Sequence, residues 1–151
     1  SNIVKYKLHK KHLDKKENLH MKYINIIKAQ KPMQEIVKLK LPIKENKKSR
    51  AIYKMVLDMA EIIEYVKAEE HKIIEKYKGA TQPDGSINFG NDEDGIRRAN
   101  MCITEISEFE NSDVDWNHEK IILSEESLSD SDGFTLSPEE IFCLEGFIEF
   151  E

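Results

Sequence analysis

The residues best suited to chemistry in this 151-residue chain are a group of cations around one serine: Lys44, Lys47, Lys48, Ser49 and Arg50. They stand at the start of a long apolar periodicity, where a helix would present unpaired N–H groups and positive partial charge. Cations at such an end are unfavourable by about a few tenths of a kcal/mol each unless an anion joins them. With Ser49 as N-cap, the group could cradle a phosphate or an acidic side chain. The plainer alternative is a solvated loop, or pairing with acids elsewhere in the chain. These five are the candidate anion- or partner-binding residues.

Other constellations are less complete. Asp130, Asp132, Gly133 and Glu139 fall at positions 3, 5, 6 and 12 of a calcium loop, but Leu128 occupies the first position and cannot coordinate. In Asn91-Asp92-Glu93-Asp94-Gly95, Met101 stands where the bidentate carboxylate belongs. Both fit turns with helix-capping acids better than metal loops. His9, His12 and His20 lie among lysines with no cysteine or carboxylate cluster to complete a zinc site. Glu69-Glu70 and Glu125-Glu126 are adjacent pairs rather than convergent ones. Cys102 and Cys143 sit inside apolar helical patterns without a CxxC spacing, and read as buried hydrophobes in a reducing compartment. No GxSxG, P-loop or HExxH pattern occurs, so a non-enzymatic protein with no cofactor is expected.

These residues need elements to hold them. The net charge of −6 conceals a division: residues 1–78 carry 20 Lys and Arg against 10 Asp and Glu, and residues 79–151 carry 3 against 19. Either the two halves attract each other in the fold, or one presents a charged face to a partner. Ile52, Val56, Met59, Ile63, Val66, Glu70, Ile73 and Tyr77 advance in steps of four and three, the spacing of a helical seam. The seam predicts one long amphipathic helix over 49–78. Its apolar stripe thins after Val66, so its distal turns should project into solvent or meet another copy.

Around it, Tyr23 to Ile27 reads as a short β-rich run and 32–40 as a helix opened by Pro32 and closed before Pro42. Asp84-Gly85 predicts a turn between short extended pieces. A third helix is expected over 93–110, with Ile96, Ala99, Met101, Ile103, Ile106 and Phe109 toward the core. Lys120 to Leu123 suits a strand. Ser137-Pro138-Glu139-Glu140 forms a capping box for a last helix whose Ile141, Phe142, Leu144, Phe147 and Ile148 should pack inward. The expected fold is α+β, mainly α: a long amphipathic helix packed with two or three shorter helices and a small antiparallel β element. Residues 1–20 form a basic arm or extension, in which Val4, Tyr6 and Leu8 alternate with polar residues, and 21–151 form one domain.

The run Leu39 to Lys44, the Lys47–Arg50 cluster, the helix ending Glu70 to Tyr77, the Asp84-Gly85 turn and the ending Leu136 to Ile148 together resemble a family of small uncharacterised proteins from tailed bacteriophages and prophages of Gram-positive bacteria. The resemblance covers Met21 to Ile148 and is one of pattern, so it transfers no site residues. It implies a phage accessory protein acting through protein–protein contacts, in virion assembly or a related role, with a protein partner or a second copy of itself. The cytoplasm of the infected host, or the virion, is the implied location. The alternative is a host-directed modulator or nucleic-acid-associated factor using a charged face. No run of about 18 apolar residues is present, so no membrane partner is expected and an intracellular protein is predicted.

Overall fold

The structure, a computed structural model, describes residues 20–151. The strand expected at Val4 to Leu8, and with it His9, His12 and all but the last residue of the basic arm, lies outside the described residues.

A two-residue strand β1 (Met21–Lys22) leads directly into helix α1 (Tyr23–Ile36). The run expected to be β-rich is therefore the first turn of a helix, and the helix expected over 32–40 begins nine residues earlier and ends at Ile36. The deciding feature is spacing: Ile26, Ala29, Met33 and Ile36 fall on one face and are all at most 1% exposed. The Asn25 side chain accepts from the Lys22 N–H at 3.1 Å, satisfying a free donor at the helix start. Pro32 lies in the interior of α1 rather than at its start, forgoing one backbone bond, and its ring is buried with that face.

A single 3₁₀ turn (Ile43–Glu45) feeds helix α2 (Asn46–Lys76), whose 31 residues span about 46 Å. Its buried stripe is Ile52, Met55, Met59, Ile63 and Val66, none more than 6% exposed. Val56 and Ile62 flank the stripe, half-buried. Tyr23 at the start of α1 lies 5.9 Å, ring to ring, from Tyr65 near the middle of α2. Because a short link joins the end of α1 to the start of α2, the two helices run antiparallel along the first half of α2.

Lys78, at φ +59°, turns the chain out of α2 with the Gly79 N–H donating to the Ile74 carbonyl at 2.9 Å, and strands β2 (Ala80–Thr81) and β3 (Ile87–Asn88) form the hairpin announced by Asp84-Gly85, with Gly85 at φ +88°. Helix α3 (Glu93–Glu110) follows, capped by the Asp92 side chain accepting from the Gly95 N–H at 2.9 Å. It returns along the distal half of α2. Arg98 donates to the Tyr77 carbonyl at 2.7 Å, Lys76 pairs with Glu105 at 2.6 Å, and Phe109 stacks on Tyr23 at 4.8 Å. The turns of α2 beyond Val66, expected to project into solvent, are thus flanked by α3. The inward face of α3 is Gly95 and Cys102, buried, with Ala99, Ile106 and Phe109 half-buried. Ile96, Met101 and Ile103, expected in the core, are 57%, 44% and 66% exposed.

Strand β4 (Asp113–Val114) pairs antiparallel with β1, tying the end of α3 to the start of α1. Strand β5 (Ile121–Leu123) runs parallel to the C-terminal β6 (Ile148–Phe150), with Ile121 opposite Ile148. Among the described residues, one of the three strand pairs is therefore parallel rather than antiparallel. Between β5 and β6, helix α4 (Pro138–Cys143) carries the expected capping box, Ser137 Oγ accepting from the Glu140 N–H at 3.1 Å. It is only six residues long and cannot carry the whole apolar set inward. Leu144, Phe147 and Ile148 are buried, the last in β6, whereas Ile141 and Phe142 face out. The mainly helical α+β class holds, with one core formed by α1, the first half of α2, β5 and the C-terminal segment.

Gly95 gives the sharpest stability test. A Cβ there would lie 2.4 Å from the Phe89 carbonyl and 2.7 Å from that of Gly90, both backbone atoms that cannot swing aside. Alanine normally favours a helix by about 1 kcal/mol over glycine. Gly95→Ala should reverse that sign and lower the urea unfolding free energy by about 1–3 kcal/mol.

Candidate functional site

The cations at the start of α2 suit either an external anion or acids elsewhere in the chain, and the structure shows what they do. The N-cap is Glu45, not Ser49, because the 3₁₀ turn starts the helix four residues earlier. Ser49 and Arg50 are exposed residues on the second turn. Glu45 itself is an anion at the positive helix end. It accepts from Ser127 Oγ at 2.9 Å and pairs with Lys48 Nζ at 3.1 Å, and these bonds hold its carboxyl below the usual carboxylate range. Lys48 also donates to Ser127 at 3.2 Å, and Ser127, fully buried, is the hinge of the arrangement. Lys44 pairs with Glu126 from the acidic loop. Two of the four cations are thus matched within the chain.

Lys47 and Lys48 also line a groove of about 450 Å³ with Lys120, Asn117, His118 and Glu119, floored by Ala51, Met55 and Ile121. His118 Nε2 sits 2.5 Å from Asp58 Oδ2 on α2, and its ring lies 4.5 Å from Trp116. Of the five expected residues, Lys47 and Lys48 line this groove, joined by His118 and Lys120 about 70 positions downstream. Nothing local in the sequence connects them.

Glu70, the one charge in the α2 seam, meets Glu110 at the end of α3. Partial burial, then the hydrogen bond to Glu110 and its charge, raise the Glu70 carboxyl to about 7. Two carboxyls in hydrogen-bond reach need one proton between them. The adjacent pair Glu69-Glu70 noted in the sequence is not the relevant one; Glu69 instead pairs with Lys72 at 2.9 Å. His20 faces Asp113 at 3.4 Å. Asp130 and Asp132 are exposed, and Gly133 between them and α4 takes φ +79° in a turn. Among the described residues no three His, Cys, Asp or Glu converge. Cys102 is buried as expected, burial pushing its thiol up, whereas Cys143 is only half-buried.

A second groove was not foreseen. About 580 Å³ in volume, it runs between α4 and β6 and is lined by Pro138, Ile141, Phe142, Ile148 and Phe150, with Lys120, Glu145 and Glu149 around it. Phe142 is 73% exposed and Ile141 48%. The sequence signal that could have found it is the length of α4: Leu144 to Phe147 already fill the core, so a one-and-a-half-turn helix has to turn two apolar residues outward. No helix among the described residues is long and apolar enough to cross a membrane.

Neither a protein-family model, nor a curated protein, nor a solved structure matches the chain.

The Glu70–Glu110 pair gives a pH prediction. The folded carboxyl titrates at about 7 against 4.5 for an ordinary one. Its stabilisation is therefore full below 4.5, falls as pH rises, and is gone above 7. Glu70→Gln keeps a donor for Glu110 without the charge. It should raise the urea midpoint at pH 8 by the equivalent of about 1 kcal/mol, screening of a half-exposed group allowed for, and change it little at pH 4.

Proposed function

We propose that this chain is a non-enzymatic interaction protein that works through protein–protein contacts, an accessory protein of the phage and prophage kind its sequence resembles, acting in the cytoplasm of an infected bacterial host or in the virion. The observation that carries the contact is Phe142, a large aromatic side chain 73% exposed over an apolar groove. Burying it and Ile141 against a partner would recover about 1.5–3 kcal/mol for each, and aromatic anchors in such pockets dominate binding energies. The long helix, first expected to be the contact, is instead the spine that presents the C-terminal segment. Ile96 and Ile103 on α3 supply a second exposed apolar stripe, seven residues apart on one helix face, suited to a second copy of the chain.

A charged-face role is the second reading, and Lys47, Lys48 and Lys120 on one groove favour it. It suits an acidic protein or a nucleic-acid backbone, and its binding would weaken steeply with salt.

Capture of partners from host lysate separates the two. With Phe142→Ala, the bound set should be lost, while changing the exposed Lys47 and Arg50 together to Glu should leave it intact. The opposite pattern would favour the charged face; sets unchanged by either would remove both surfaces.

A further inference from the structure

We infer that the groove between α4 and β6 receives a short, extended, basic segment of a partner protein, laid along β6 with apolar side chains over Ile141 and Phe142 and lysines or arginines toward the acidic rim. The inference rests on the protein-contact role proposed above and specifies the partner's chemistry.

Charge is the first ground. Glu139, Glu145, Glu149 and Glu151 stand exposed on α4, on β6 and beside them, and none pairs with a cation among the described residues. By contrast, Glu45 at the start of α2, Glu126 in the acidic loop, and Asp94 and Glu105 on α3 are matched by Lys48, Lys44, Arg97 with Arg98, and Lys76. Unpaired acids ringing exposed apolar carbon suit an apolar segment that carries its own cations, since complementary charge selects the partner while the buried apolar area holds it. Lys120 is the one cation on the lining, at the end of the groove shared with Lys47 and Lys48. It repels a basic segment there and so limits the register to the stretch over Phe142 and Glu149.

Backbone geometry is the second ground. Ile148, Glu149 and Phe150 all line the groove, though successive strand residues point to opposite faces. The groove therefore follows the edge of the strand. Strand β6 pairs only with β5 among the described residues; on its outer side the Ile148 N–H already donates to the Leu144 carbonyl at 2.8 Å, which leaves the Ile148 carbonyl and the Phe150 N–H and carbonyl without a strand partner. Such an edge takes an added strand, main-chain bonds giving affinity and alternate side chains giving choice. At three residues, about 10 Å, it accommodates only a short match, so the affinity belongs in the micromolar range.

The test uses the full chain and two labelled ten-residue probes, one alternating lysine with valine, the other glutamate with valine, followed by fluorescence anisotropy. The lysine probe should bind, and the glutamate probe should bind at least tenfold more weakly. Phe142→Ala and the double change Glu145→Lys, Glu149→Lys should each weaken the lysine probe at least fivefold, with unfolding midpoints unchanged because all three side chains are exposed. Equal binding of the two probes, or binding indifferent to both variants, overturns the inference. If lysate capture still depends on Phe142 while the lysine probe fails, the contact surface stands and the basic extended partner falls.

Discussion

The structure depends on covering one stripe of α2. Ile52, Met55, Met59, Ile63 and Val66 occupy five positions over four turns and are nearly inaccessible. Each such side chain contributes about 1.5–3 kcal/mol on removal from water, an upper figure since the unfolded chain already hides some area. No single neighbour is long enough to cover a 46 Å rod. The chain solves this in segments: α1 returns along the first half, β5 and the C-terminal segment close the same region, and α3 flanks the rest. The short strand pairs hold the ends of these helices in register rather than forming a sheet of their own.

Once that stripe is covered, the placement of polar groups follows. The division of charge between the halves does produce pairs across the fold, Lys44 with Glu126 and Lys76 with Glu105. Most other ion pairs are three or four residues apart on one helix. Exposed pairs of this kind are worth about 0–1 kcal/mol each, so they orient surfaces more than they hold the core. The buried polar link is different: Ser127, fully enclosed, joins Glu45 and Lys48 and fastens the acidic loop to the start of α2. This loop in turn sets where α4 and β6 lie, and with them the Phe142 groove.

The regular features were legible in the sequence for physical reasons. The α2 stripe, the Asp84-Gly85 turn, the bounds of α3 and the Ser137 capping box are local patterns, each decided within a few residues. The failures have a common cause. Tyr23 to Ile27 looked β-rich because Ile and Tyr favour strands, but the periodicity of Ile26, Ala29, Met33 and Ile36 overrode residue preference once tertiary burial was available. The faces of α3 and α4 were misjudged because their apolar residues nearly encircle them, and only the neighbours decide which side is covered. The basic groove joins Lys47 and Lys48 to His118 and Lys120, and the carboxyl pair joins Glu70 to Glu110. Separations of 40 to 73 residues leave no trace in spacing.

The central claim is that the exposed aromatic on α4 is a contact made in the cell rather than idle surface. Replacing Phe142 by a photo-reactive phenylalanine, irradiating host cells that carry the protein, and mapping the adducts addresses it directly. The account predicts one dominant adduct to a partner chain, mapped to a segment rich in Lys or Arg, and far less adduct from the same group placed at Tyr53, a comparably exposed aromatic at 58%. Adducts equal in kind and amount from the two positions, or none from position 142, would contradict it.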